Sequence, residues 1–436
     1  MIEPRKARNA VLRTVLLLLV TANAASLLVS CGSDTGTPPP KTSHLAVADG
    51  MNNRILIYKT PLRTDESASI VIGQASFTET LPNQGGSAPT AATLSNPGGM
   101  AMDSAGNLWV ADTGNCRVLE FKPPFTSGMK ASVVLGQSRF DVDMPQGPGC
   151  VLDPATLPSG MGPSWVAVDR QGNVWVVDVS GERITEYVPP FTNGMAASIA
   201  IGQKSLDDSY ECNGGSFGPD GQAPPPTAST LCYPAAAGFD SQGNLWVTDS
   251  SNNRVLEFVP PFSTGMAASL QLGSPSSSTS GSNCYSWGGS QSAFITSSSF
   301  CAPSAVEFDG NGDLWVGDMG YNRVLEFIPP FTAGMDASLV IGASSFTQPP
   351  QYQELPATAN LLNGVYGISF DGNGNLLVSD GGNSRILLFR LPFSNGMGAT
   401  TVIGQPDMSS TSRGPSWECA PAAANTLCGG GGILSF

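Results

Sequence analysis

The sequence predicts an all-β fold, a six-bladed β-propeller of four-stranded antiparallel blades closed by one blade built from both termini. The main observation is a stretch that begins Asn107-Leu-Trp-Val-Ala-Asp112 and returns four more times, with a shortened copy after Ser43. Such recurrence is the signature of a repeat architecture. Each copy contains an aspartate followed five positions later by an arginine: Asp49 and Arg54, Asp112 and Arg117, Asp178 and Arg183, Asp249 and Arg254, Asp318 and Arg323, and Asp380 and Arg385.

Each repeat has the composition of four short strands. Residues 108–111 and 118–121 are apolar and β-prone, and the Thr-Gly-Asn between them favours a tight turn. Pro123-Pro124 ends the ladder because proline has no N–H to donate. A strand over residues 99–103 precedes this hairpin, and residues 131–136 supply a fourth apolar run. Four-stranded units arranged radially form a propeller.

The two ends of the sequence together contain the four strands of one blade. The first copy has no innermost strand, whereas residues 425–436 are similar to the innermost-strand segment of other repeats. Phe436 stops where an Asp-x-x-Gly-Asn turn would begin, and His44 resumes where that turn would end. We therefore expect one strand from the C-terminus and three from the N-terminus to form a single blade, which leaves no open sheet edge.

These residues resemble the NHL-repeat family, whose motif combines a proline-led strand, an Asp-x-x-Gly-Asn turn and Val-x-Asp-x-x-Asn-x-Arg-Val-x-x-Phe. The resemblance extends over nearly all of residues 43–436. It implies the propeller fold but no particular activity, because fold alone does not determine function.

The N-terminal residues have the pattern of an export signal. Arg5, Lys6, Arg8 and Arg13 precede an apolar region, so residues 1–30 are predicted to be a signal peptide. Leu28-Val-Ser-Cys31 resembles a bacterial lipobox, which implies acylation of Cys31, and residues 31–42 then form a polar tether. The predicted location is the bacterial cell envelope, lipid-anchored and facing the periplasm or the cell surface. An ordinary signal peptide followed by a chance cysteine is the alternative.

Charge excludes one class of partner. The formal net charge is −14, and removing the leader's four basic residues and one acidic residue leaves about −17. Such a surface repels nucleic acid and anionic lipid headgroups. We therefore expect no nucleic-acid partner, membrane contact through the lipid anchor only, and a monomer.

The eight cysteines beyond Cys31 indicate disulfides, as expected for an exported chain. Metal binding is the weaker alternative, because no Cys-x-x-Cys occurs and His44 is the only histidine. Cysteines at one repeat position follow a cysteine in the preceding linker. The predicted pairs are Cys116–Cys150, Cys212–Cys232, Cys284–Cys301 and Cys419–Cys428.

The variable linkers between repeats share one face of the predicted ring with the turns between second and third strands. Variable loops on a rigid scaffold are where recognition usually occurs. The candidate binding residues at the inner-strand entries are Trp165 and Tyr366, and those in the turns are Tyr321, Asn253 and Asn322. Packing residues and loop padding are the alternatives.

Two apparent motifs are interpreted as structural. Asp309-Gly-Asn-Gly-Asp313 resembles the start of a calcium loop, but position twelve is Gly320 rather than glutamate, so a hairpin turn is expected. The sixfold Asp–Arg pairs predict charge-assisted hydrogen bonds rather than catalysis. No cofactor or metal is predicted, with Ca²⁺ kept as an alternative.

The sequence predicts a lipid-anchored extracytoplasmic binding or scaffold propeller that recognises a protein, peptide or carbohydrate on the linker face. Lyases on related propellers rely on histidines, which His44 alone cannot replace. The alternative is an extracytoplasmic hydrolase or lyase, lactonase-like, that uses loop carboxylates. Three or more carboxylates at the axial mouth would favour this enzyme, whereas an uncharged, aromatic-rimmed mouth would favour binding.

Overall fold

The structure is a computed structural model that describes residues 44–142, 162–208, 212–215, 223–273, 295–348, 357–411, 419, 421–429 and 431–436. The predicted signal peptide, Cys31 and the tether lie outside these residues. In the described part, no helix is long and apolar enough to span a membrane.

Six four-stranded antiparallel sheets form the blades of a propeller, which confirms the predicted fold class. Blade 1 contains β1 (His44–Asp49), β2 (Arg54–Lys59) and β3 (Ile70–Ile72), and the last strand of the chain, β24 (Ile433–Ser435), joins it. Blade 2 contains β4 (Pro97–Met102), β5 (Leu108–Asp112), β6 (Arg117–Phe121) and β7 (Val133–Leu135), and blade 3 contains β8 (Pro163–Val168), β9 (Val174–Asp178), β10 (Arg183–Tyr187) and β11 (Ile199–Ile201).

The remaining three blades follow the same order. Blade 4 contains β12 (Pro234–Phe239), β13 (Leu245–Asp249), β14 (Arg254–Phe258) and β15 (Leu270–Leu272). Blade 5 contains β16 (Pro303–Phe308), β17 (Leu314–Asp318), β18 (Arg323–Phe327) and β19 (Leu339–Ile341), and blade 6 contains β20 (Val365–Phe370), β21 (Leu376–Asp380), β22 (Arg385–Phe389) and β23 (Thr401–Ile403).

Short 3₁₀ turns join the second and third strands of most blades. Each of these turns is followed by a residue in the left-handed conformation, and the asparagine-rich sequence at this position tolerates it. These turns are Gly50–Asn52, Thr113–Asn115, Ser250–Asn252, Met319–Tyr321 and Gly381–Asn383. Two further 3₁₀ segments, Pro82–Gly85 and Cys212–Gly214, lie in linkers.

The composite blade is present as predicted. Strand β24 pairs with β1 in antiparallel register, with Val47 opposite Ile433 and Leu45 opposite Ser435. The amide of Phe436 donates to the carbonyl of His44 at 2.9 Å, and the Phe436 ring stacks on His44 at 5.5 Å between centroids. The inner strands of neighbouring blades contact one another around the ring, including β20 with β24 and β24 with β4.

The core lies between the blades and contains one large aromatic residue on the second strand of four of them. Trp246 is fully buried, and its ring packs edge-on against Phe331 of the next blade at 4.9 Å. Its indole N–H donates to Asp240 in the preceding turn at 3.2 Å, so the polar edge of the ring is also satisfied. The four tryptophans are Trp109, Trp175, Trp246 and Trp315.

The antiparallel order of the strands gives the ring two distinct ends. The end that contains the turns after the second strand and the linkers to the next blade is called the linker face here. The opposite end contains the turns after the first strand and the proline-containing connections after the third, and it is called the proline face. The candidate binding residues lie at the linker face.

Candidate binding site at the linker face

The repeated Asp–Arg pairs are buried at the ends of the second and third strands, next to the linkers. In blade 2, Arg117 Nε lies 2.8 Å from Asp112 Oδ2, and both side chains are fully buried. The remaining guanidinium N–H groups donate to the carbonyls of Phe140, Thr90 and Thr93 in the two adjacent linkers. Burial raises the pKa of Asp112, while Arg117 and hydrogen bonds oppose that rise.

All six blades contain the buried Asp–Arg pair, and each arginine also donates to at least one linker carbonyl. The Nε–Oδ2 distances range from 2.7 Å in the Arg54–Asp49 pair to 3.1 Å in the Arg183–Asp178 pair. Such buried pairs need the additional hydrogen bonds that the linker carbonyls supply, since removal of two charges from water is costly. The pairs therefore attach the linkers to the frame and leave no arginine head exposed toward a ligand. The other pairs are Arg254–Asp249, Arg323–Asp318 and Arg385–Asp380.

Two of the predicted disulfides are confirmed, Cys212–Cys232 and Cys419–Cys428, with Cα–Cα distances of 4.4 and 5.4 Å. Cys116 and Cys301 are also disulfide-bonded. Their predicted partners, Cys150 and Cys284, lie outside the described residues, so these two pairings remain predictions. Disulfides persist in oxidising compartments, and the two observed pairs therefore indicate an extracytoplasmic chain.

We expect non-reducing peptide mapping to recover cross-linked peptides that join Cys116 to Cys150 and Cys284 to Cys301. Each bond would close a linker and contribute about 2–4 kcal/mol through the unfolded state. Cross-linked peptides joining other cysteines would contradict the pairing.

The predicted turn residues Asn253 and Asn322 connect adjacent blades. Asn322 Oδ1 accepts the Gly364 amide at 2.7 Å, and Asn253 Oδ1 accepts the Ala302 amide at 2.9 Å. The equivalent Asn53 accepts the Asn96 amide at 2.8 Å. The shared geometry supports an inter-blade role for this position. Asn322 Nδ2 is buried and has no hydrogen-bond partner in the described part of the chain.

The structure places two of the candidate aromatic residues in the core rather than at the mouth. Trp165 is 8% exposed and lies over Gly99 of the preceding blade, where an added Cβ would approach the Trp165 ring within 2.5 Å. Tyr321 is buried beside Cys301 and Ile295, with the Arg323 guanidinium 5.1 Å from its ring centroid. Both rings are therefore packed against neighbouring residues and present little surface to a ligand.

Tyr366 is the candidate that reaches solvent at the axial mouth. It is the second residue of the innermost strand β20 and is 41% exposed. Other blades have Gly98, Ser164, Ala235 and Ser304 at the same position. The ring lies close to Gly364, where an added Cβ would be 3.1 Å from Tyr366 Cε2. Gly364 has a φ of +71°, so this position favours glycine both for its backbone and for the ring beside it.

Sequence reasoning missed three further exposed large side chains at this face, of which Leu81 lies in the first linker and is 62% exposed. Tyr233 directly precedes the innermost strand β12 and is 45% exposed, and Met51 in the turn of blade 1 is 57% exposed. Tyr233 could have been recognised in the sequence by its size, because the equivalent residues of other blades are smaller: Asn96, Gly162, Ala302 and Gly364. Tyr366, Tyr233 and Met51 carry no charge, and the charged side chains exposed at this face, such as Glu79, Lys204 and Asp207, lie in the linkers around them.

One carboxylate lies close to the axis. Glu307, on β16, is the only acidic or basic residue in the described innermost strands, and its side chain is half-buried. Burial raises the pKa of Glu307 to about 7, with the Phe308 amide opposing the shift. Sequence reasoning missed it, although the other blades have Ala101, Ala167, Gly238, Ser369 and Leu434 at the matching position.

Glu307→Gln is expected to stabilise the fold at alkaline pH and to have no effect at acid pH. The folded chain holds a proton on Glu307 up to about pH 7, whereas the unfolded chain releases it near pH 4.3. The wild-type free energy of unfolding therefore falls as pH rises through that window. Because the carboxylate retains partial solvent contact, we expect a gain of about 1–2 kcal/mol at about pH 8. Urea titrations at both pH values test this, and an equal effect at both would contradict it.

A cluster of three carboxylates lies on the proline face. Asp309, Asp313 and Glu326 bring their oxygens within 4.8 Å of one another and are all half-buried. In blade 4 the position of Asp313 is Asn244, whose amide donates to Asp240 at 2.8 Å and to Glu257 at 3.1 Å. Blade 5 lacks this amide, and burial together with Asp309 raises the pKa of Asp313. These residues could hold a cation such as Ca²⁺.

Asp313→Asn is expected to raise the free energy of unfolding by about 1 kcal/mol at neutral pH. The amide would recreate the two hydrogen bonds seen at Asn244 and remove a like-charge contact. Since the pKa of Asp313 is raised, the gain should vanish at acid pH, where the wild-type residue is neutral. Thermal melts with EDTA and with Ca²⁺ measure it. If Ca²⁺ instead stabilises the wild type but not Asp313→Asn, the three carboxylates form a Ca²⁺ site.

The remaining candidate cluster involves a disulfide. Glu182 Oε1 lies 4.0 Å from Cys212 Sγ, and burial raises the pKa of Glu182 to about 8. Cys212 and Cys232 are bonded to each other and supply no thiolate ligands. Among the described residues, neither cluster places three carboxylates at the linker-face mouth.

The NHL repeat model matches residues 94–121 and 231–258. These two segments are NHL repeats. Each contains the first three strands of its blade, with the Asp–Arg pair described above. No curated protein matches the chain.

Several solved structures are similar in fold. Virginiamycin B lyase from Staphylococcus aureus is 12% identical, with 69% of this chain and 82% of that chain covered and a TM-score of 0.36. A chain of a nidogen–laminin complex is 14% identical, with 90% and 98% covered and a TM-score of 0.46. A protein of unknown function from Bacteroides caccae is 10% identical, with 91% and 99% covered and a TM-score of 0.44.

Proposed function

We propose that this chain is a lipid-anchored extracytoplasmic binding propeller that holds an uncharged protein segment, peptide or carbohydrate at its linker face. The observation that carries the proposal is the exposure of Tyr366 and Tyr233 on or beside innermost strands, where other blades have smaller residues. An exposed tyrosine offers a flat apolar face and a hydroxyl, which suits sugar rings and peptide groups alike.

The rim has the character expected of a recognition site rather than of a hydrolytic one. The exposed residues Met51, Tyr233 and Tyr366 are uncharged, and the buried arginines are engaged by Asp and linker carbonyls. The net charge of −14 disfavours anionic ligands. A neutral ligand loses least on leaving water, because it has no charge to desolvate.

The frame beneath the tyrosines is already ordered. Tyr366 rests against Gly364, which Asn322 holds through a 2.7 Å hydrogen bond, and the Tyr233 amide donates to the Glu182 carboxylate. Ordered anchors lose little conformational entropy when a ligand binds. The blades therefore supply rigid positions for the two rings, and the linkers supply the variable surroundings.

Isothermal titration with panels of neutral oligosaccharides and peptides tests the proposal. Any ligand found should bind at least about tenfold more weakly to Tyr366→Ala and Tyr233→Ala, because each change removes one aromatic contact. Val259→Ala on the proline face is the matched control and should bind as the wild type does. Binding that is unaffected by both tyrosine changes would overturn the assignment of this mouth.

The anchor has its own test. The mass of the mature wild-type protein should include an acylated Cys31, and Cys31→Ser should lack that added mass and be retained less in the membrane fraction. Unchanged mass and fractionation would remove the anchor from the proposal without affecting the ligand site.

A further inference from the structure

The proline face displays an uninterrupted series of exposed side chains at one repeat position, directly after the third strand of each blade. Three consecutive blades have a β-branched apolar residue there, and the next blade has a leucine one position later. This apolar arc consists of Val188, Val259, Ile328 and Leu391, which are 43%, 44%, 50% and 54% exposed. Exposed prolines adjoin each of the four.

Three blades have a cation at this repeat position, and blade 6 contributes both its cation and Leu391. Lys59, Lys122 and Arg390 are all exposed and lie on blades 1, 2 and 6. The face is therefore divided into an apolar arc and a basic arc, an arrangement that suits the interface between lipid headgroups and acyl chains.

The same face also carries acidic residues, which determine the kind of lipid. The turns after the first strands contain Asp103, Asp169, Asp240, Asp309 and Asp371, and blade 5 adds Asp313 and Glu326, which cluster with Asp309. These carboxylates offset the attraction for anionic headgroups of the cations at this face, which also include the exposed Arg63, Lys130 and Arg170. A neutral, zwitterionic bilayer is thus the surface that the charges favour.

The chain enters the fold at this face. His44, the first described residue, pairs with Lys59 at the end of the third strand of blade 1. Cys31 is thirteen residues earlier in the sequence, so an extended tether reaches at most ~45 Å. A bilayer attached to Cys31 would therefore lie within reach of the face that displays the apolar arc.

The spacing of the arc fits a bilayer better than a protein partner. Its four side chains come from four successive blades, one from each blade. Protein interfaces need a packed apolar core, whereas lipid surrounds separated side chains individually. Each side chain can contribute by burying its own apolar area.

We propose that the proline face lies against a zwitterionic bilayer, with the apolar arc inserted at the level of the headgroups, so that membrane contact extends beyond the lipid anchor to which the sequence-based expectation confined it. This inference rests on the acyl anchor of the proposed function, which supplies the nearby membrane. In this orientation the linker face and its tyrosines point away from the lipid, toward soluble or surface-bound ligands.

Flotation of the full chain with vesicles of phosphatidylcholine and phosphatidylethanolamine tests the proposal. The chain carries Cys31→Ser, so that only the protein surface contributes. We expect measurable binding, and a loss of at least about tenfold when Val188, Val259, Ile328 and Leu391 are all changed to Ser. The matched control replaces the exposed linker-face residues Met51, Leu81, Tyr233 and Tyr366 by Ser, and it should bind vesicles as the parent does. Circular dichroism and thermal melts verify that each variant is folded.

Three results would overturn the proposal. They are equal binding by the apolar-arc variant and its parent, no binding by the parent at high lipid concentration, and an arc-dependent dimer in sedimentation without lipid binding. A strong increase on addition of phosphatidylglycerol would also exclude the zwitterionic assignment. Ligand titrations and the mass of acylated Cys31 are independent of these measurements, so failure here is distinguishable from failure of the proposed function.

Discussion

Deletion of residues 430–436 is expected to unfold or aggregate the propeller. The deletion removes the innermost strand of blade 1 and exposes an edge in the closed ring. It also removes Ile433, which is 3% exposed, and Phe436, whose ring packs against Phe125 and His44. Large apolar truncations cost about 2–5 kcal/mol each, against a typical total of about 5–15 kcal/mol. Thermal melts and sedimentation measure the outcome.

Deletion of residues 274–282 in the serine-rich linker is the control of comparable length. Loop length enters stability only logarithmically, so this deletion should have little effect on the melting temperature. Equal stability of the two deletions, or a larger loss from the linker deletion, would contradict the importance of the composite blade.

Arg117→Met is expected to lower the free energy of unfolding by about 3–5 kcal/mol, because it leaves the Asp112 carboxylate buried without its cation. The linker carbonyls of Phe140, Thr90 and Thr93 also lose their donors. Urea titration of the purified variant measures the loss.

The exposed pair Arg139–Asp141 provides the control. Its Nε–Oδ1 distance is 2.9 Å, but the two side chains are 71% and 66% exposed. Arg139→Ala should therefore cost less than about 1 kcal/mol. A double change, Asp112→Asn with Arg117→Met, should recover part of the loss, and no recovery would mean that the linker contacts dominate.

The blades and their closure could be predicted because repeated residues report a shared local geometry. Each Asp–Arg spacing recurs in one kind of hairpin, and the absent strand before Ser43 had an evident counterpart before Phe436. Several copies of the same pattern predict the local structure better than one copy does, because features found in a single copy can be set aside.

The orientation of single side chains could not be predicted in the same way. The pairing of β8 with β9 shifts between Pro163 and Trp165, and the Trp165 ring fills the space left by Gly99, a contact across two blades. Nothing local to Trp165 contains that information. Tyr233 and Glu307 were detectable only as departures from their repeat positions, since sequence does not indicate which departures reach solvent.

The buried arginines have a consequence for how this chain can change. Arg54 holds the start of the first linker through the Phe77 carbonyl, and Arg117 holds its end through Thr90 and Thr93. Arg385 and Arg54 hold the last linker in the same way, at Met408 and at Ala423 and Thr426. The middle of such a linker can gain, lose or exchange residues while its two attachment points stay in place. New binding specificities can therefore arise by replacing loop interiors, without any compensating change in the blades.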